Sequence, residues 1–293
     1  MTFTQEKNKQ AYLTVLLTYG RACLAIFCLN YCYFAVSSEL FPPTRLVFSE
    51  SEKAKLTKPS VHSSKIKPAK TCGTSASNIH LLQGEYNSSP LLNEQHTVEA
   101  VVTLISEHLK GFFIQAEPST HDDNSLTSEA IFVYYPKLVP VTLLGHKIRL
   151  KGKVQEYYGR TQLTQVTGYI DCGLGDKISP IALNLPYQNW EKHEGMLVTF
   201  TEQLTVTDNQ HLAKYGQLTL SRGRLVMPTQ LFKPGSQAAQ QLTQYNRNNR
   251  IILDDGNNQI MPEALAFQTT HFTGESPVRT GDTVTGLTGV LDY

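Results

Sequence analysis

Between residues 149 and 160 the chain alternates cations with apolar residues and then sets two tyrosines side by side: Arg149, Lys151, Lys153, Tyr157, Tyr158 and Arg160. These are the two ingredients of a single-strand nucleic-acid surface, since cations follow the phosphate backbone and aromatic rings stack on bases. At a period of two, Arg149, Lys151 and Lys153 project from one face of a strand, and Ile148, Leu150 and Val154 mainly from the other. The basic stripe is therefore expected to be exposed. An ordinary solvated strand face with core tyrosines is the plainer alternative, because the surrounding region is net acidic.

Other reactive residue types are sparse. Five cysteines occur, three of them (Cys23, Cys28, Cys32) inside an apolar stretch where they act as small hydrophobes. That leaves Cys72 and Cys172, which an oxidising compartment would join and which are otherwise two free buried thiols. Neither has a Cys-x-x-Cys partner or a His at ligand spacing, so zinc is not expected. Thr120-His121-Asp122-Asp123 reads as a polar turn before Asn124 and Ser125. The acidic loops at Asp122, Asp123, Asn124 and at Asp254, Asp255, Asn257, Asn258 offer hard oxygen donors without EF-hand spacing. No P-loop, nucleophile elbow or His-Glu-x-x-His string occurs, and no cofactor site is expected in the chain.

The 293 residues are 40% hydrophobic and 17% charged, which fits a globular chain of about two domains. Residues 1–70 carry ten basic and four acidic side chains, whereas residues 71–293 carry 16 and 21. The globular part is thus acidic, which excludes a strongly basic nucleic-acid-binding domain. The uncharged run ACLAIFCLNYCYFAV at 22–36 follows Lys7, Lys9 and Arg21 and precedes small residues. That is the layout of a secretory signal; an uncleaved N-terminal anchor or a buried helix are the alternatives. Either of the first two places the remainder outside the cytoplasm, secreted or periplasmic, with an N-terminal membrane contact. Residues 37–70, rich in Ser, Lys and Pro, read as a flexible spacer.

From residue 96 the period is two. Strands are expected at 96–105, 111–116, 129–135 and as a pair over 146–166, then at 195–208, 216–221, 224–228, 250–256 and 281–293. Phe112, Phe113, Phe132, Tyr134 and Trp190 fall in or beside apolar runs and are expected in the core. Laying Gly145 on Gly281 puts Ile148 on Val284, Val154 on Val290, Glu156 on Asp292 and Tyr157 on Tyr293, so the strands form two copies of one unit. The recurrence of Tyr157 as Tyr293 favours a structural role for it. The boundaries are 1–36 signal or anchor, 37–70 spacer, 71–185 first unit and 186–293 second unit. Fold class is mainly β, a small barrel or sandwich repeated. The second copy stops where the first continues into YGRTQLTQV, so it is expected to lack its last strand and the chain to be a truncated piece.

The runs SSPLLNEQHTVEAVVT at 88–103, GFFIQ at 111–115, EAIFVY at 129–134, VQEYYGRTQLT at 154–164, LPYQNWEKHEGMLVTF at 185–200, LTVTDN and YGQLTLSRGRL between 204 and 225, RIILDDG at 250–256 and GDTVTGLTGVLDY at 281–293 occur in this order. Together they resemble one family, the secreted nucleases of Gram-negative bacteria that degrade extracellular DNA. The resemblance implies two consecutive OB-like units that bind DNA, single-stranded by preference. It also implies a following metal-dependent domain of the endonuclease/exonuclease/phosphatase fold, where Mg²⁺ or Mn²⁺ would act. That domain's closing Ser-Asp-His tripeptide is missing here, and none of its catalytic residues can be carried over. The expectation is a non-catalytic, nucleic-acid-binding portion of such an enzyme. The alternative is an exported β module that binds a protein or polysaccharide, or that acts as a spacer.

Overall fold

The computed structural model describes residues 12–15, 71–122, 124–256, 260 and 278–292. The apolar stretch at 22–36, the spacer at 37–70 and Tyr293 lie outside the described residues.

The molecule is mainly β, as the alternating pattern requires. A first set comprises β2 (Gln95–Ser106), β3 (Gly111–Gln115), β4 (Ala130–Tyr134), β5 (His146–Tyr157), β6 (Arg160–Thr164) and β7 (Tyr169–Leu174). Its order is β2-β3-β4-β6-β5-β7, and β2 also pairs with β5, so the ladder runs from β2 through β3, β4, β6 and β5 back to β2. A second set comprises β8 (Ile181–Leu183), β9 (Leu197–Phe200), β10 (Leu204–Asp208), β11 (Gln217–Ser221), β12 (Ile251–Asp254), β13 (Thr283–Val284) and β14 (Leu287–Asp292). It contains one strand from the far end of the chain, β1 (Tyr12–Val15), which lies between β12 and β14.

The internal repeat has a physical counterpart. Gly145 and Gly281 both adopt positive φ, and their N–H groups donate to Val102 O at 2.9 Å and Val206 O at 2.8 Å, on matching strands of the two sets. β6 runs parallel to β4 and antiparallel to β5. β1 runs parallel to β12 and antiparallel to β14 in the corresponding place. Among the described residues, β1 thus takes in the second set the place that β6 takes in the first.

Each set has its own core. Phe112, Ile114, Ile131, Val133, Ile148, Leu150, Val154 and Leu163 form part of the first. Val198, Phe200, Leu204, Leu218, Leu220, Leu253 and Leu291 form part of the second. Phe113, Phe132, Leu104 and Val290 make a third, smaller cluster. β3 and β4 therefore bury both faces, one toward the first core and one toward Val290 of the other set. That is why GFFIQ and AIFVY read as continuous apolar runs.

Three expectations need correction. Residues 224–228 form no strand: Pro228 opens the short helix Pro228–Leu231, and a proline is well suited to a first helical position. Tyr134 is 38% exposed rather than core, at the last position of β4. Trp190 is only partly buried, in a short 3-10 turn where it meets Tyr187 edge to face at 4.8 Å. The helix Gln237–Asn248 escaped the strand reading altogether. Most of its residues are polar, Ala239 is its one buried residue, and Ser236 caps it by accepting the Ala239 N–H.

Cys72 and Cys172 are joined, with Cα atoms 5.9 Å apart and a sequence separation of 100. In the chain-entropy view, closing a loop of that length stabilises by up to about 4.7 kcal/mol. Reduction, or Cys172→Ser, should lower the denaturant midpoint without changing the far-UV spectrum at low denaturant. Two alkylated sites at these positions in unreduced protein, by intact mass, would contradict the bridge.

Candidate functional site

The hairpin β5–β6 places the basic and aromatic run. Tyr157 pairs with Arg160, and the two residues between them, Tyr158 and Gly159, both have positive φ, at 53° and 92°. This is the primed two-residue turn whose twist suits antiparallel strands. Glycine adopts it freely, whereas a tyrosine there is an outlier, and such outliers collect at functional sites. Tyr158 is 90% exposed and Tyr157 54%, and their rings meet edge to face at 4.7 Å.

The cations divide. Lys151 is exposed and Lys153 half-buried, both on the face that the period of two assigned them. Arg149 shares that face but is 1% exposed, which corrects the expectation of an exposed stripe. The segment after Cys72 lies over it: the guanidinium donates to Thr74 O at 2.8 Å, Ser75 O at 2.7 Å and Glu99 Oε2 at 2.8 Å. Glu99 in turn accepts the Gly73 N–H at 3.0 Å. Alternation reports which face a side chain takes, not what later covers it. Arg160 is also internal. It donates to Asp292 Oδ2 at 2.8 Å and Oδ1 at 3.1 Å, and its guanidinium carbon stacks 4.0 Å from the centre of the Phe132 ring. Of the six residues singled out, four are open to a ligand: Lys151, Lys153, Tyr157 and Tyr158.

Two features were not visible in the sequence. A small open cleft of about 190 Å³ is lined by Lys110, Tyr135, Lys137 and Leu138 among others. It is smaller than the roughly 300–1,000 Å³ of small-molecule pockets, and Glu107 lines it beside the two lysines. The other feature is a cluster of His80, Asp122 and Glu129 that could hold a metal ion. His80 Nδ1 lies 3.2 Å from Glu129 Oε1, and Nε2 lies 3.8 Å from Asp122 Oδ2. The carboxylates are already engaged, however: the Asp122 N–H donates to Glu129 Oε1, while the Asn124 N–H and the Thr127 hydroxyl donate to Asp122. Asp122 thus behaves as the turn residue that the sequence implied. His121 is turned away, its Nε2 3.1 Å from Ala116 O.

Beside Arg160 sits a polar network with displaced protonation. Glu194 Oε1 accepts the Thr161 N–H at 2.9 Å and Gln83 Nε2 at 3.3 Å, and its backbone carbonyl accepts the Ser128 hydroxyl at 2.6 Å. Burial, and secondarily Glu191, raise the Glu194 carboxyl well above its ordinary range. Burial, with Lys192 beside it, holds His193 down at about 4. His193 closes the 3-10 turn Trp190–His193 and Glu194 follows it as the C-cap.

Residues 187–293, the second strand set, match a family described as a domain of unknown function, DUF8508. No curated protein and no solved structure matches the chain.

The two displaced groups act on stability in opposite senses. A raised carboxyl stabilises fully below its unfolded value of 4.5 and loses that contribution as pH rises; a depressed histidine stabilises above 6.5 and loses that contribution as pH falls to about 4. Glu194→Gln should therefore gain thermal midpoint relative to wild type as pH rises from 5 to 8, and both proteins should fall below pH 6 as His193 titrates. Parallel midpoint curves across that range would refute the assignment of Glu194.

Proposed function

We propose that the chain is the exported, non-catalytic, nucleic-acid-binding portion of a secreted metal-dependent nuclease, and that its two strand sets are OB-like barrels. The observation that carries this reading is the exposed aromatic pair at the β5–β6 turn, Tyr157 and Tyr158, with Lys151 and Lys153 on the same strand face. A stacking platform beside cations is the arrangement that holds single strands without reading their sequence. The return of the pairings from β5 to β2 fits a small five-stranded OB barrel. Export is supported by the apolar stretch at 22–36 and by a disulfide, which belongs to an oxidising compartment. Mg²⁺ or Mn²⁺ would serve the nuclease domain of the parent enzyme; the turnover they support is expected to be absent from this chain by itself.

A second reading, that of an exported module which spaces other domains or binds a protein or polysaccharide, is favoured by one observation. Arg149 and Arg160 are consumed by internal ion pairs, which leaves a thin cationic footprint.

Binding of a fluorescent single-stranded oligonucleotide across a salt series separates the two. Lys151→Gln with Lys153→Gln should weaken binding and flatten the log–log salt slope by about 1.4, since each phosphate contact contributes about 0.7 for single strands. Tyr158→Leu should weaken binding by roughly 1–3 kcal/mol with the slope unchanged, because stacking releases no counterions. Affinity that is absent, or that ignores both salt and these substitutions, would favour the second reading.

A further inference from the structure

The two strand sets complete themselves differently. In the first, the place parallel to β4 and antiparallel to β5 is taken by β6, which follows β5 through a two-residue turn. In the second, the equivalent place is taken by β1. Its register is Tyr12 with Ile252, Leu13 with Leu253 and Thr14 with Asp254 on one side. On the other, Tyr12 pairs with Asp292, Leu13 with Leu291, Thr14 with Val290 and Val15 with Gly289. Leu13 is thus in register with Leu253 and Leu291, which both belong to the second core. Without β1, β12 and β14 would each present an unpaired backbone edge over that core.

We propose that the gap between β12 and β14 is a strand-binding site whose occupant, the segment Tyr12–Val15, is exchangeable. Its ligand is an extended peptide that adds parallel to β12 and antiparallel to β14, with an aliphatic side chain at the Leu13 position. Two observations support exchange. The strand spans only four residues, so few ladder hydrogen bonds hold it. It is also joined to the next described residue, Thr71, through 55 intervening positions, so its local concentration at the gap is that of a long connection rather than of a tight turn. The first set has no such opening, because its strand is delivered by the β5–β6 turn. This is β-strand addition, in which backbone pairing supplies affinity and alternate side chains supply selectivity.

The test uses the full chain with Leu13→Pro, which removes a ladder donor and bends β1 out of the gap, and a fluorescent peptide of residues 8–19. The variant should bind the peptide at least about tenfold more tightly than wild type does, and a peptide that itself carries Leu13→Pro should not bind. Hydrogen exchange should show protection of residues 251–254 and 287–292 lost in the variant and restored by the peptide, with β3 and β4 protected throughout. Equal binding by both proteins, or none by a variant whose β3 and β4 stay protected, overturns the proposal. Should the substitution unfold the chain, wild type decides: a large excess of peptide should slowly displace β1 and become bound, and a failure to displace it overturns exchangeability.

Discussion

The Arg160 guanidinium, paired with Asp292 above the Phe132 ring, joins the two strand sets. Arg160 opens β6 and Asp292 closes β14, so one ion pair, in which Nη1 donates to both carboxylate oxygens, ties the turn of the first set to the last described strand of the second. Burying such a charge is costly unless it is fully matched, and losing one partner of a buried pair costs about 3–5 kcal/mol. Around it, Val290 packs with Phe113 and Phe132, and Glu194 receives the Thr161 N–H one residue beyond Arg160. The same hairpin turn that sends Arg160 inward sends Tyr157 and Tyr158 outward. Tyr158 presents its ring from a left-handed backbone conformation beside this anchored side chain.

Where the sequence was legible, a local rule sufficed. A period of two located β2 through β6, and the cysteine pair followed from arithmetic on five residues. Where it was not, the missing information was long-range. Arg149 obeys the alternation and is still buried, because a segment 75 residues earlier folds over it. Arg160 carries no local sign that its partner is 132 positions away. Residues 224–228 have strand-like composition, but their backbone leads into a proline-started helix, and the polar helix at 237–248 has hardly any apolar stripe to betray it. The His80, Asp122 and Glu129 cluster draws on a helix and two loop positions that no spacing rule connects.

These placements change the electrostatic picture more than the fold. The run that reads as four cations on one hairpin contributes two to the surface, and the two withdrawn ones hold the structure together. On the reading proposed above, recognition would lean on stacking rather than charge, in keeping with an acidic globular part.

The stretch between Val15 and Thr71 begins beside a sheet position held by backbone pairing and ends one residue short of a covalent cross-link. The two attachments differ in mechanical character. A pull on that stretch, from a surface to which the N-terminal part is fixed or from flow, meets a bond at Cys72 that does not yield and that passes the load to β7 at the margin of the first set. At the other end it meets only a short ladder, which opens well before a disulfide breaks. Of the two attachments the four-residue ladder is the weaker, so it can open while the covalent bridge at Cys72 and the first set hold.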